Sequence, residues 1–180
     1  MTTHTVHRLL AAAALAFSLG GCGSGFDDPG PINWHAPGAN PRVVRGGEKL
    51  QCVPYARTRS GVQIWGDAVV WWDKAAGRFE RSSTPEGGAV MVMRGYDNDE
   101  RGHVAVVRRV LNEREIVVDH ANWLNGGEIG LDTPVMDVSD DNDWSEVRVW
   151  YAPGRHYGGR VYEVTGFILG PVGGQRMASQ

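Results

Sequence analysis

GHVAVVRRVLNEREIVVDHANW, from Gly102 to Trp123, reads as two strands joined by a tight turn. Val104, Val106 and Val110 fall on one face of the first strand; His103, Ala105 and Val107 fall on the other. The second strand alternates too. Ile116, Val118 and His120 share a face, and Glu115, Val117 and Asp119 share the opposite one. A two-residue turn at Asn112-Glu113 pairs Leu111 with Arg114. His103 then stands opposite Asn122, and His120 lies diagonally beside His103 on the same face. A three-residue turn would bring Asp119 to that face instead. His120 is preferred, because Asp119 shares its face with Glu115 and is expected to be solvated.

Outward from this hairpin, the chain reads as helices followed by strands. Pro54 fits only the first turn of a helix, so a helix is expected from Cys52 to Ser60, with Gly61 as its C-terminal cap. A second helix is expected over Asp67 to Ala76, between an Asp67 N-cap and a Gly77 stop. Further strands are expected at Ala89–Met93, Val147–Tyr151 and about Val164–Leu169, beside Val104–Val110 and Glu115–Ala121 of the hairpin. Helices first and antiparallel strands after predict an α+β domain, its N-terminal helices packed on an antiparallel sheet. Trp65, Trp71 and Trp72 are read as core.

The domain is bounded at 43–170. Residues 23–42, rich in Gly, Pro, Asp and Asn, read as a flexible tether, and 171–180 as a disordered tail. Residues 1–22 read as a signal peptide. Leu9 to Leu19 is an apolar run too short to span a bilayer, and Leu19-Gly20-Gly21-Cys22 resembles a bacterial lipobox. The expected consequences are lipidation at Cys22, a membrane anchor, and residence in the periplasm or at the cell surface. Gly23 after the lipobox Cys resembles outer-membrane sorting patterns, should the host be Gram-negative.

Composition narrows the function. The chain has 180 residues, 42% of them apolar and 22% charged, which suits one folded domain. A net charge of -3 gives no basic footprint for nucleic acid. The acidic run Asp137 to Asp143 lacks the Gly and Glu spacing of a Ca²⁺ loop, and no Cys/His spacing supports zinc. There are two cysteines, so processing at Cys22 leaves Cys52 as a lone thiol without a disulfide partner. A helix N-terminus favours thiolate over thiol and presents free N–H groups to an oxyanion, which makes Cys52 a candidate nucleophile. A nucleophilic Cys needs a base, and the base needs a third group to fix its tautomer. His103 is the candidate base, with His120, Asp119 or Asn122 as its orienter.

Cys52 in LQCVPYAR, His103 in GHVAVV and the following DHANW together resemble the CHAP domain, the cysteine, histidine-dependent amidohydrolase/peptidase family. That family lies within the papain-like superfamily that includes NlpC-type cell-wall peptidases. The resemblance spans about Val43 to Leu169. It implies a Cys nucleophile on a helix packed against an antiparallel sheet, a His base, and a polar third residue on the next strand. Many members carry Glu-x-Asn before an aromatic at that third place. Here His120, Ala121 and Asn122 precede Trp123, which agrees with the His-Ala of NlpC-type enzymes. The implied activity is cleavage of amide bonds in peptidoglycan, by an amidase or a stem-peptide endopeptidase, through Cys52, His103, His120 and Asn122, with no metal or organic cofactor. The alternative is a catalytically silent peptidoglycan-binding or scaffold module of the same fold. Thiol labelling separates the two, since an activated Cys52 is expected to react well below the pH at which free cysteine does. An amidase of small amides such as glutathionylspermidine is disfavoured by the export signal.

Overall fold

No strand is expected from the sequence between Ala121 and Val147, because Gly130, Asp132 and Pro134 interrupt the apolar alternation. Ile129–Asp137 is nevertheless a strand, and it is the one that closes the sheet. The computed structural model describes residues 38–45, 47–95 and 101–171. In chain order these carry β1 (Arg42–Val44), α1 (Cys52–Ser60), a 3-10 turn (Ala68–Val70), α2 (Trp71–Ala75), β2 (Arg81–Ser82) and β3 (Val90–Met93). Then follow β4 (His103–Asn112), β5 (Glu115–Ala121), β6 (Ile129–Asp137), β7 (Glu146–Tyr151), β8 (His156–Tyr157) and β9 (Tyr162–Ile168). The leader, the lipobox with Cys22 and nearly all of the C-terminal tail lie outside the described residues.

The strand order β6-β5-β4-β3-β9-β7 returns to its start through a β6–β7 pairing. The result, among the described residues, is a closed six-stranded antiparallel barrel, with 39% strand against 13% helix. This overturns the expected α+β, papain-like arrangement in which N-terminal helices pack on a sheet. The domain is mostly sheet, and its two helices are short. Pro134 is tolerated in the closing strand because it sits between the residues that pair with β1 and those that pair with β7. At that position only the β5 side is occupied, where Pro134 faces Val117.

Two apolar layers hold the domain. Met91, Met93, Ala105, Val107, Ile116, Val118, Val135, Val149 and Phe167 belong to one cluster, and their alternation along the strands places it inside the barrel. The intervening residues Val90, Val92, Val104, Val106 and Ile168 face outward against Ala56, Val62, Ile64 and Trp71 from the helical segment. Burial of these side chains on both faces explains why β3 reads as an unbroken VMVM. Helix α1 ends as expected at Gly61, whose φ of 75° lets its N–H reach the Arg57 carbonyl. The second helix is shorter than expected, its first turn being 3-10. Trp71 is core, whereas Trp65 is 57% exposed with the Arg57 guanidinium over its ring at 5.1 Å. Part of the expected tether is bound to the barrel: Arg42 pairs with Leu131, and the Asn40 N–H donates to Asp132 Oδ2 at 2.8 Å.

Candidate active site

Cys52 is the first residue of α1, and Gln51 holds the N-cap position in extended conformation. The Gln51 side chain makes no capping bond; its Oε1 instead accepts from Asn122 Nδ2 at 2.8 Å. The free Cys52 thiol is half-buried. Burial raises its pKa above the ordinary value, although the backbone N–H groups of Val104, Val53 and Cys52 itself favour the thiolate. The net direction is opposite to the helix-terminus expectation, because desolvation outweighs those donors. The resting sulfur is a thiol, seated at the Val104 N–H, one residue beyond His103.

The two histidines meet. His103 Nε2 lies 3.2 Å from His120 Nδ1, with the rings edge-on at 5.2 Å. The route to this register differs from the one expected. The turn is at Glu113-Arg114, one residue later, with Asn112 paired to Glu115. Two irregularities in β4, at Arg108 and Leu111, then shift the pairing, and Val106 ends opposite Asp119. That is the alignment the earlier turn would have produced, so His120 still comes up diagonally beside His103.

Trp123 covers the pair, 4.7 Å from the His103 ring and stacked on His120 at 5.7 Å with a 23° interplanar angle. On the other side, a Cβ at Gly130 would stand 2.9 Å from the His120 ring, so only glycine leaves room for that imidazole. Burial holds both rings neutral: His103 falls well below its ordinary pKa, and His120 falls to about 3. His103 Nε2 is engaged by His120, so Nδ1 is the ring nitrogen that a base role for His103 would use. For Nδ1 to be basic, the His103 proton must sit on Nε2 and be donated to His120 Nδ1.

The other candidates lie elsewhere. Asn122 is turned to Gln51 and ties the end of β5 to the N-cap of α1. Asp119 is 2% exposed rather than solvated. It faces away from the histidines, with Arg108 at 3.5 Å and Arg59 at 3.9 Å, and accepts the Asp132 N–H at 2.9 Å. Gln51 and Gly130 are the residues that sequence reasoning missed. The signal for Gln51 was its place directly before a helix-opening Cys; nothing local marks Gly130. Among the described residues no group of three His, Cys, Asp or Glu is placed to hold a metal ion.

The buried neutral histidines make stability depend on pH. The unfolded chain takes up these protons near pH 6.5, while folded His120 resists until about pH 3. The unfolded state therefore binds more protons across that window, and stability is lost as pH falls through it. Thermal melts over this range should show a falling Tm, and His120→Gln should show a shallower fall. Equal slopes in the two proteins would contradict the burial argument.

Residues 43–122 match the family model of the CHAP domain. The match begins in β1, takes in Cys52, His103 and His120, and stops at Asn122; the strands that close the barrel follow it. A comparison with curated proteins finds no match.

Proposed function

With a CHAP domain over residues 43–122, a domain type whose members are typically amidohydrolases or peptidases acting on peptidoglycan, we propose that this chain is a cysteine-dependent peptidoglycan hydrolase. The carrying observation is the His103–His120 bond at 3.2 Å beside a strand whose next N–H meets the Cys52 sulfur. The bond cut is the muramoyl–alanine amide or a peptide bond of the stem.

The reaction starts from two neutral groups. As Cys52 Sγ attacks the carbonyl carbon, its proton passes to His103 Nδ1. The new C–S bond places negative charge on the carbonyl oxygen, where the Cys52 backbone N–H at the open end of α1 can stabilise it. His120 accepts the Nε2–H hydrogen bond and steadies the imidazolium while it lasts. Collapse breaks the C–N bond, and His103 gives its proton to the departing amine. Water, deprotonated by His103, then hydrolyses the thioester and returns the thiol. Because charge develops only during attack, a raised thiol pKa in the free protein is compatible with catalysis.

The apolar run Leu9–Leu19 and the lipobox-like Leu19-Gly20-Gly21-Cys22 support export and lipidation at Cys22, which would hold the enzyme on a membrane facing the wall. Digestion of purified peptidoglycan, with fragments identified by mass spectrometry, tests the activity and names the bond. The protein should release fragments that Cys52→Ala does not. Release by neither, on walls of several chemotypes with the thiol reduced, would leave a silent wall-binding module as the reading.

A further inference from the structure

The thiol and the histidines sit on separate elements, so any joint chemistry depends on how α1 is set against β4 and β5. Apolar packing does part of this: Ala56 belongs to the outer cluster, and Cys52 and Val53 pack against it. Such packing is non-directional and does not by itself fix how far the helix advances or turns. Polar contacts at both ends of α1 add direction, and both go to the chain segment around His120. At the far end Arg59 reaches Asp119 at 3.9 Å. At the open end Gln51 Oε1 accepts from Asn122 Nδ2 at 2.8 Å. From Gln51 to Arg59 the helix rises roughly 12 Å, and from Asp119 to Asn122 the strand advances roughly 10 Å, so the two contacts match in span.

The contact at the open end is the shorter one and lies next to the sulfur. Gln51 occupies the N-cap position without capping, so its side chain is spent on Asn122 and not on its own helix. Asn122 holds φ 60°, a left-handed conformation that asparagine adopts more readily than most residues. Main-chain bonds bring the two segments together. The Asn122 N–H donates to the Glu128 carbonyl at 2.9 Å and closes the loop after β5. The Leu50 N–H donates to the Gly127 carbonyl at 3.0 Å and joins that loop to the segment before Cys52. The Asn122 amide is thereby committed to the residue that precedes the nucleophile.

We propose that Gln51 and Asn122 are positioning residues whose hydrogen bond sets Cys52 against His103. The assignment rests on the hydrolase reading above, and it gives Asn122 a role through the helix rather than through the imidazole. Iodoacetamide labelling of Cys52, mapped by peptide mass spectrometry, reads the positioning without peptidoglycan. The parent protein should label faster than His103→Gln, because His103 takes up the thiol proton. Gln51→Met keeps the length of an exposed side chain and removes its acceptor. Asn122→Gly accommodates the same backbone conformation and removes the donor. Each should slow labelling about tenfold or more, and lower kcat on soluble peptidoglycan fragments similarly with KM within about twofold. The double variant should be no slower than the slower single one, since both substitutions remove the same bond. Thermal melts confirm that each variant is folded. Labelling unchanged by the single substitutions, losses that multiply in the double variant, or a parent no faster than His103→Gln overturns the positioning role. Labelling that follows the prediction without cleavage by the parent keeps the pair and sinks the hydrolase. Cleavage by the parent, with labelling and kcat unmoved in both single variants, sinks the pair alone.

Discussion

His103→Gln is expected to lower kcat/KM on peptidoglycan at least about a thousandfold while the domain stays folded. Glutamine can keep a polar contact to His120 Nδ1, now 3.2 Å from the imidazole, and fills much of the same space. What it cannot do is take a proton from Cys52 at neutral pH. Without that transfer, attack requires a preformed thiolate, and burial of Cys52 makes the thiolate scarce. The remaining activity of the variant should therefore climb with pH into the alkaline range. The unaltered protein should behave differently at the acid end. Burial keeps His103 neutral well below 6.5, so the acid limb of kcat/KM lies under the ordinary histidine range. A loss of less than tenfold in His103→Gln would remove His103 from the chemistry.

Gly102→Ala is expected to destabilise the domain by about 3 kcal/mol or more. Gly102 has φ +65°, a conformation that costs a residue with a Cβ. The added Cβ would also stand 2.6 Å from the Met93 carbonyl oxygen and 2.9 Å from the Val69 nitrogen. Both neighbours are backbone, so no side chain can turn aside. Val69 is itself fixed, its N–H donating to the Arg101 carbonyl at 2.9 Å. Relief must come from moving β3, the 3-10 turn or the start of β4, and the last of these carries His103. Urea unfolding reads the effect directly. A change under about 1 kcal/mol would mean that this corner gives way more easily than its geometry implies.

The hairpin was the most legible part of the chain, because its alternation is strong and both faces are buried along β5 and the first half of β4. Strand β5 has the expected bounds, Glu115–Ala121. The turn was placed one residue early, since Asn112-Glu113 and Glu113-Arg114 are both polar and differ little as turns. The two irregularities in β4 that compensate have no local mark: Arg108 and Leu111 look like ordinary strand residues. Closure of the barrel was hidden for a different reason. Strand β6 contains a glycine kept small by the His120 ring, an Asp132 at φ 54° and a proline without a second partner strand. Each is explained only by residues distant in sequence, so the segment looks like loop and the sheet looks as if helices must cover it. Asp119 shows the same limit. Its Arg59 and Arg108 come from α1 and β4, and these partners make burial tolerable where a face shared with Glu115 suggested solvent.

Covalent attack by the Cys52 sulfur is the step on which the proposed hydrolase depends. Acid-quenched digests of purified peptidoglycan fragments, followed by intact-protein and peptide mass spectrometry, look for the acyl-enzyme directly. The mass gained should equal the acyl half of the cleaved fragment, should map to Cys52, and should be absent in Cys52→Ala. Product accumulating with Cys52 unmodified, at a rate that Cys52→Ala matches, would contradict it.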